Sequence, residues 1–174
     1  MEQLIMRWKN TGRETKMPDF GNFVCRPFTE SDEDIDEWAE IVQHGLTTGK
    51  ATKEDYFNIM YDHGPLELNK FFLIEKDGHP AATIAIICNY EKKEGYIHMV
   101  GSHPAYRGLG LGNKMNELAV KVLMDAGMET AYLTTDDWRI PAIKSYLRSG
   151  FEADRSTDDF KERWDKIFRE IGRK

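Results

Sequence analysis

The chain has 174 residues, enough for one domain with a well-buried core. With 40% hydrophobic and 31% charged residues it reads as a soluble globular protein, and no apolar run approaches the roughly 20 residues that span a bilayer. A net charge of -6 disfavours a nucleic-acid partner, whose phosphates require a basic surface, and is compatible with cationic substrates.

Leu4, Ile5, Met6 and Trp8 suggest a short strand within an extension over residues 1–21, followed by a polar loop from Lys9 to Lys16. No secretory signal is visible, since the N-terminus lacks both a long apolar region and a small-residue cleavage site. Asn22 to Phe28 reads as the first strand of the core, with Ser31 or Asp32 capping a helix over about Glu33 to His44. Ile35, Trp38, Ile41 and Val42 form that helix's apolar face, and its acidic start matches the positive end of the helix dipole. Thr52 and Asp55 are spaced as a capping box for a second helix over about Lys53 to Tyr61.

Phe71 to Glu75 and Ala81 to Tyr90 read as strands joined by an Asp-Gly hairpin, and a third strand begins at Gly95. Cys25 and Cys88 fall in separate predicted strands, which predicts free thiols and a reducing, cytoplasmic setting, not a disulfide framework.

Beyond the third strand stands Arg107-Gly108-Leu109-Gly110-Leu111-Gly112-Asn113, and then Leu111, Met115, Leu118, Ala119, Val122, Leu123 and Ala126 recur at helical spacing. A strand therefore feeds a glycine-rich turn that opens a helix. The first N–H groups of a helix lack internal partners and carry positive charge, so this turn predicts a phosphate-bearing ligand, with Arg107 supplying a planar charged fork. The spacing is neither a Walker loop, which requires Gly-Lys-Ser/Thr, nor the dinucleotide fingerprint G-x-G-x-x-G. Glu129 to Asp136 reads as a strand parallel to the one before the turn, and Trp138 to Gly150 as a helix with Pro141 in its first turn and Gly150 at its end. Phe160, Trp164, Ile167, Phe168 and Ile171 predict an amphipathic terminal helix over 156–174, packed on this domain or on a second copy in a homodimer.

Arg107-x-x-Gly110-x-Gly112, preceded by His103-Pro104-Ala105-Tyr106, resembles the acyl-CoA pyrophosphate loop of the GNAT superfamily of N-acyltransferases. A second match lies in order downstream: Ala142 to Phe151 resembles the family's later helix, A-x-x-x-Y-x-x-x-G-F. The resemblance covers roughly Asn22 to Asp154 and is strongest from Val100 onward. It implies an α/β fold of one domain, a mixed and mostly antiparallel sheet flanked by helices, with the family core over 22–155.

It also implies acetyl-CoA as cosubstrate, no metal, and an amine as acceptor, with neither nucleic acid nor membrane as partner. Arg107, Gly108, Leu109, Gly110, Leu111, Gly112 and Asn113 would hold the pyrophosphate, and backbone near Val100, Gly101 and Ser102 would meet the pantetheine arm and acyl oxygen. Tyr146 stands at the position of the usual general acid, although on its spacing alone it reads as a core tyrosine. His98 is a candidate base, the alternative being a structural histidine with the amine deprotonated through water. Thr135-Asp136-Asp137 also stands near the expected cleft, where family members often carry an asparagine. The acceptor is open between a small amine and a protein or peptide, with the loop from Gly45 to Asp55 shaping the choice, and a non-catalytic acyl-CoA-binding domain is a further alternative.

Overall fold

A computed structural model describes residues 2–173, so that Met1 and Lys174, the outermost residues of the two expected terminal segments, lie outside the described residues. The chain forms a seven-strand mixed sheet with helices on both faces. In order along the chain these are β1 (Leu4–Lys9), β2 (Val24–Pro27), α1 (Asp32–Val42), α2 (Lys53–Met60), β3 (Phe71–Lys76), β4 (His79–Asn89), β5 (Glu94–Ser102), α3 (Leu111–Asp125), β6 (Thr130–Thr135), α4 (Ile140–Arg148), β7 (Glu152–Ala153) and α5 (Asp158–Glu170). The sheet runs β2-β3-β4-β5-β6-β1-β7, antiparallel throughout except for the β5–β6 pair, which the α3 crossover makes parallel.

Residues 4–9, expected as a short strand in an extension outside the core, are a strand inside the sheet. β1 pairs with β6 on one side and β7 on the other, and Leu4, Met6 and Trp8 on its inward face are buried. β1 thus fills the place between β6 and β7, and the C-terminal residues form the expected helix.

Two apolar layers sandwich the sheet. On one face Leu118, Leu123, Ile143 and Trp164, from α3, α4 and α5, pack against Ile84, Ile86, Ile97 and the inward residues of β1. α5 thus packs on its own domain. On the other face Trp38 of α1 and Tyr56 and Met60 of α2 pack against Phe28, Phe71 and Leu73. Ser31 caps α1, and Thr52 with Asp55 closes the predicted box at α2, each oxygen satisfying an N–H that the helix leaves free.

Two irregularities open the middle of the sheet. Ala85 pairs with His98 and Thr83 with Gly101, so the single residue Ile84 faces both Met99 and Val100 across a bulge. Met99 there has φ 51°, a left-handed conformation that costs a methionine about 1 kcal/mol or more. β5 and β6 pair only as far as Ile97 and Leu133. Beyond that rung they part, and the edge of β5 from His98 to Ser102 has no strand beside it.

Candidate active site

The split leads into a cleft of about 640 Å³ between the end of β5, the start of α3, the length of α4 and the segment after α1. Val100, Gly101, Ser102, Arg107, Gly108, Gly110, Leu111, Gly112, Asn113 and Tyr146 all line it. Leu109, the one residue of the expected phosphate loop outside the cleft, points to solvent and is 57% exposed.

The loop backbone explains its glycines. Gly108 and Gly110 have φ of 78° and 81°, the left-handed region that only glycine enters without strain. Gly110 is also the N-cap of α3 and offers no side-chain oxygen to the first turn. The N–H groups that open α3 therefore face the cleft without a capping side chain, which is the arrangement that receives an anion. The adjoining wall is pinned, since the Ser145 hydroxyl on α4 donates to Asn113 Oδ1 at 2.7 Å and accepts from Asn116 Nδ2 at 2.9 Å.

Arg107 is placed differently from its expected role as a phosphate fork. Its Nε donates to the Ser102 carbonyl at 3.3 Å and its Nη2 to the His44 carbonyl at 2.8 Å, so the guanidinium ties the phosphate loop to the segment after α1. Arg139 makes a matching tie from the other wall to the Gly45 carbonyl, while its Nε donates to Asp136 at 3.0 Å. These two braces hold His44 and Gly45, the start of the loop expected to shape acceptor choice, at the rim of the cleft.

Tyr146 is buried on α4, its ring edge-on to Phe151 at 6.1 Å. Burial pushes its phenol up to about 12, with Arg139 pulling the other way and Tyr96 adding to the rise. It is therefore a neutral proton donor at physiological pH.

His98 does not line the cleft. It lies buried on the opposite face of the sheet, its Nε2 3.0 Å from the Ile59 carbonyl of α2; a carbonyl only accepts, so Nε2 carries the proton. Burial, offset in part by that bond, drives the imidazole down to about 4, so it is neutral at physiological pH. Asp136 and Asp137 are taken up by Arg139 and by Arg163 of α5, the latter at 3.0 Å.

Sequence reasoning missed Trp138, Arg139 and Arg148 in the cleft wall. Trp138 is 68% exposed with Arg139 stacked 4.6 Å from its ring, a conspicuous place for a large aromatic and the one signal that composition offers for it. Among the described residues, no group of His, Cys, Asp and Glu side chains is arranged to hold a metal, and no helix is long and apolar enough to cross a membrane.

The sheet thus splits beside a bulged strand, with a glycine-opened helix at one end of the cleft and a buried tyrosine at the other. The chain belongs to the acetyltransferase (GNAT) family, whose sequence model matches residues 26–151. Mycothiol acetyltransferase from Streptomyces bingchenggensis is 31% identical over 81 residues, a match covering 47% of this chain and 26% of that protein. The match thus spans about a quarter of that relative's length. Among solved structures, the fold is shared with a GCN5-related N-acetyltransferase from Sphaerobacter thermophilus (TM-score 0.68, 16% identity, 88% of this chain and 50% of that one). It is shared too with Ard1 from Thermoplasma volcanium (TM-score 0.61, 20% identity, 80% of this chain and 92% of that one).

Proposed function

We propose that this protein transfers the acetyl group of acetyl-CoA directly to the nitrogen of an amine. The observation that carries this reading is one cavity holding both the bare start of α3 and the Tyr146 phenol. The N–H groups of α3 from Leu111 to Asn113 would bind the pyrophosphate, and the unpaired edge of β5 from Met99 to Ser102 would take the pantetheine arm as a strand takes its neighbour. In the reaction the amine lone pair attacks the thioester carbonyl, the C–S bond breaks, and the departing thiolate receives its proton from Tyr146. Because a thiol's ordinary pKa near 8.5 lies below that of the buried phenol, Tyr146 gives up its proton only as charge develops on sulfur, and the water that takes the amine's proton returns one to Tyr146.

The amine must lose a proton as the new bond forms. We assign that proton to water in the cleft, because His98 lies outside the cleft and burial makes its imidazole a weak base, and we give His98 the task of bracing α2 on β5. The free, half-buried thiols of Cys25 and Cys88 fit a cytoplasmic setting.

Thermal melting with ligand tests the cofactor assignment. Acetyl-CoA at a hundredfold excess over its dissociation constant should stabilise the fold by about 2.7 kcal/mol, raising Tm by several degrees, and NADH should leave it unchanged. An equal rise with NADH, or none with any CoA thioester, would remove the reading.

A further inference from the structure

A second cavity, of about 390 Å³, opens on the α1/α2 face of the sheet. Tyr96 of β5 and Tyr132 of β6 are register partners whose rings stack 4.7 Å apart on its floor, and His63, from the segment after α2, lies 4.5 Å from Tyr96. Tyr90, Glu94 and Lys92 complete the polar wall. Lys93 between the last two is paired with Glu129 at 2.7 Å, whereas among the described residues nothing of opposite charge lies within ion-pair distance of Glu94 or Lys92.

Glu94 supplies negative potential in this cavity. Burial raises the pKa of both tyrosines; at Tyr96 a hydrogen bond with Thr134 opposes the rise and Asp62 adds to it, and at Tyr132 Tyr96 and Glu94 add to it while Arg7 opposes. Lys92 opposes that potential from the wall, and Arg7 acts in the same sense at Tyr132. Aromatic faces add further negative potential, of the kind that attracts an ammonium.

The Tyr96–Tyr132 rung on the cavity floor is followed by Ile97–Leu133, the last before β5 and β6 part, so the floor lies one rung from the split. We propose that this cavity takes the acceptor and that the acceptor is a linear diamine, one amine reaching the split beside Tyr96 and the other, still protonated, held by Glu94 among the rings. The inference rests on the transferase reading above. Glu94 and Tyr96 stand two positions apart on the strand, so the two nitrogens stand roughly 7 Å or more apart, several methylenes along a chain.

Release of CoA thiol from acetyl-CoA by the whole protein, across diamines from diaminopropane to diaminooctane, each matched with the amino alcohol of equal length, tests this. The best diamine should exceed its amino alcohol in kcat/KM by about tenfold or more. Glu94→Gln should bring that ratio close to one, and Lys92→Gln should raise it. A ratio near one in the unaltered protein overturns the inference, as does a ratio undiminished in Glu94→Gln. Release with peptide amines but with none of the panel overturns the diamine assignment and leaves the transferase reading standing. Release with no amine at all, while acetyl-CoA still raises Tm, removes both.

Discussion

Helices α3 and α5 are of similar length and begin in opposite ways. α5 starts behind Thr157, whose hydroxyl accepts from the Phe160 N–H at 3.1 Å, and carries Asp158 and Asp159 in its first turn. α3 starts behind Gly110, with no side-chain cap and no acidic residue in its first turn. Both solutions answer the same deficit of hydrogen-bond partners at a helix start. In α5 the chain supplies the partners itself, and the helix buries Phe160, Trp164 and Ile167. In α3 the deficit is left open toward a cleft. If the start of α3 binds phosphate as proposed, substitutions at the two helix starts should separate stability from CoA affinity.

The sharpest break in that comparison lies across the cleft from α3, at Tyr146. Tyr146→Phe keeps the ring against Phe151 and deletes the proton donor, so kcat should fall by about 10²- to 10⁴-fold with acetyl-CoA affinity and Tm nearly unchanged. Full turnover under conditions where chemistry limits the rate would show that another group protonates the thiolate.

Next in size is Gly110→Val. A Cβ at Gly110 meets nothing within 4 Å, so the free protein loses only the strain of φ 81°, of order 1–2 kcal/mol. Affinity for CoA should drop far more than tenfold, because a branched side chain then stands where phosphate must approach the backbone. Calorimetric titration that finds affinity intact in a folded Gly110→Val protein would move the phosphate site elsewhere.

The smallest effect belongs to the opposite member of the pair. Thr157→Ala removes a cap worth about 1 kcal/mol, lowering Tm by a few degrees with no change in CoA affinity. A loss of affinity there would mean that α5 reaches the cleft after all.

What could be read in the sequence was whatever chemistry writes locally. The glycine spacing from Gly108 to Gly112 is dictated by backbone conformation within a few residues, and the cap at Ser31 and the box at Thr52 depend on neighbours three positions away. Tyr146 and the phosphate loop were found as a pair of motifs, and the structure brings them into one cavity. The misses are long-range. Nothing near His98 says that Ile59 will hold its ring, and nothing near Arg107 says that its fork will close on the carbonyl of His44. The place of β1 depends on an opening that β6 and β7 offer only once the rest of the sheet exists.

That last feature governs how the molecule is made. Leu4 pairs with Thr135 and Met6 with Ala153, so β1 finds its partners only after the well over a hundred residues between them have been made. Meanwhile the hairpin of β3 and β4, whose partners are close in sequence, can form early. Until β1 docks, the open flank of β6 is an unprotected strand edge, and Leu4, Met6 and Trp8 are apolar surface awaiting cover. The docking of β1 therefore both completes the sheet and covers its exposed edge.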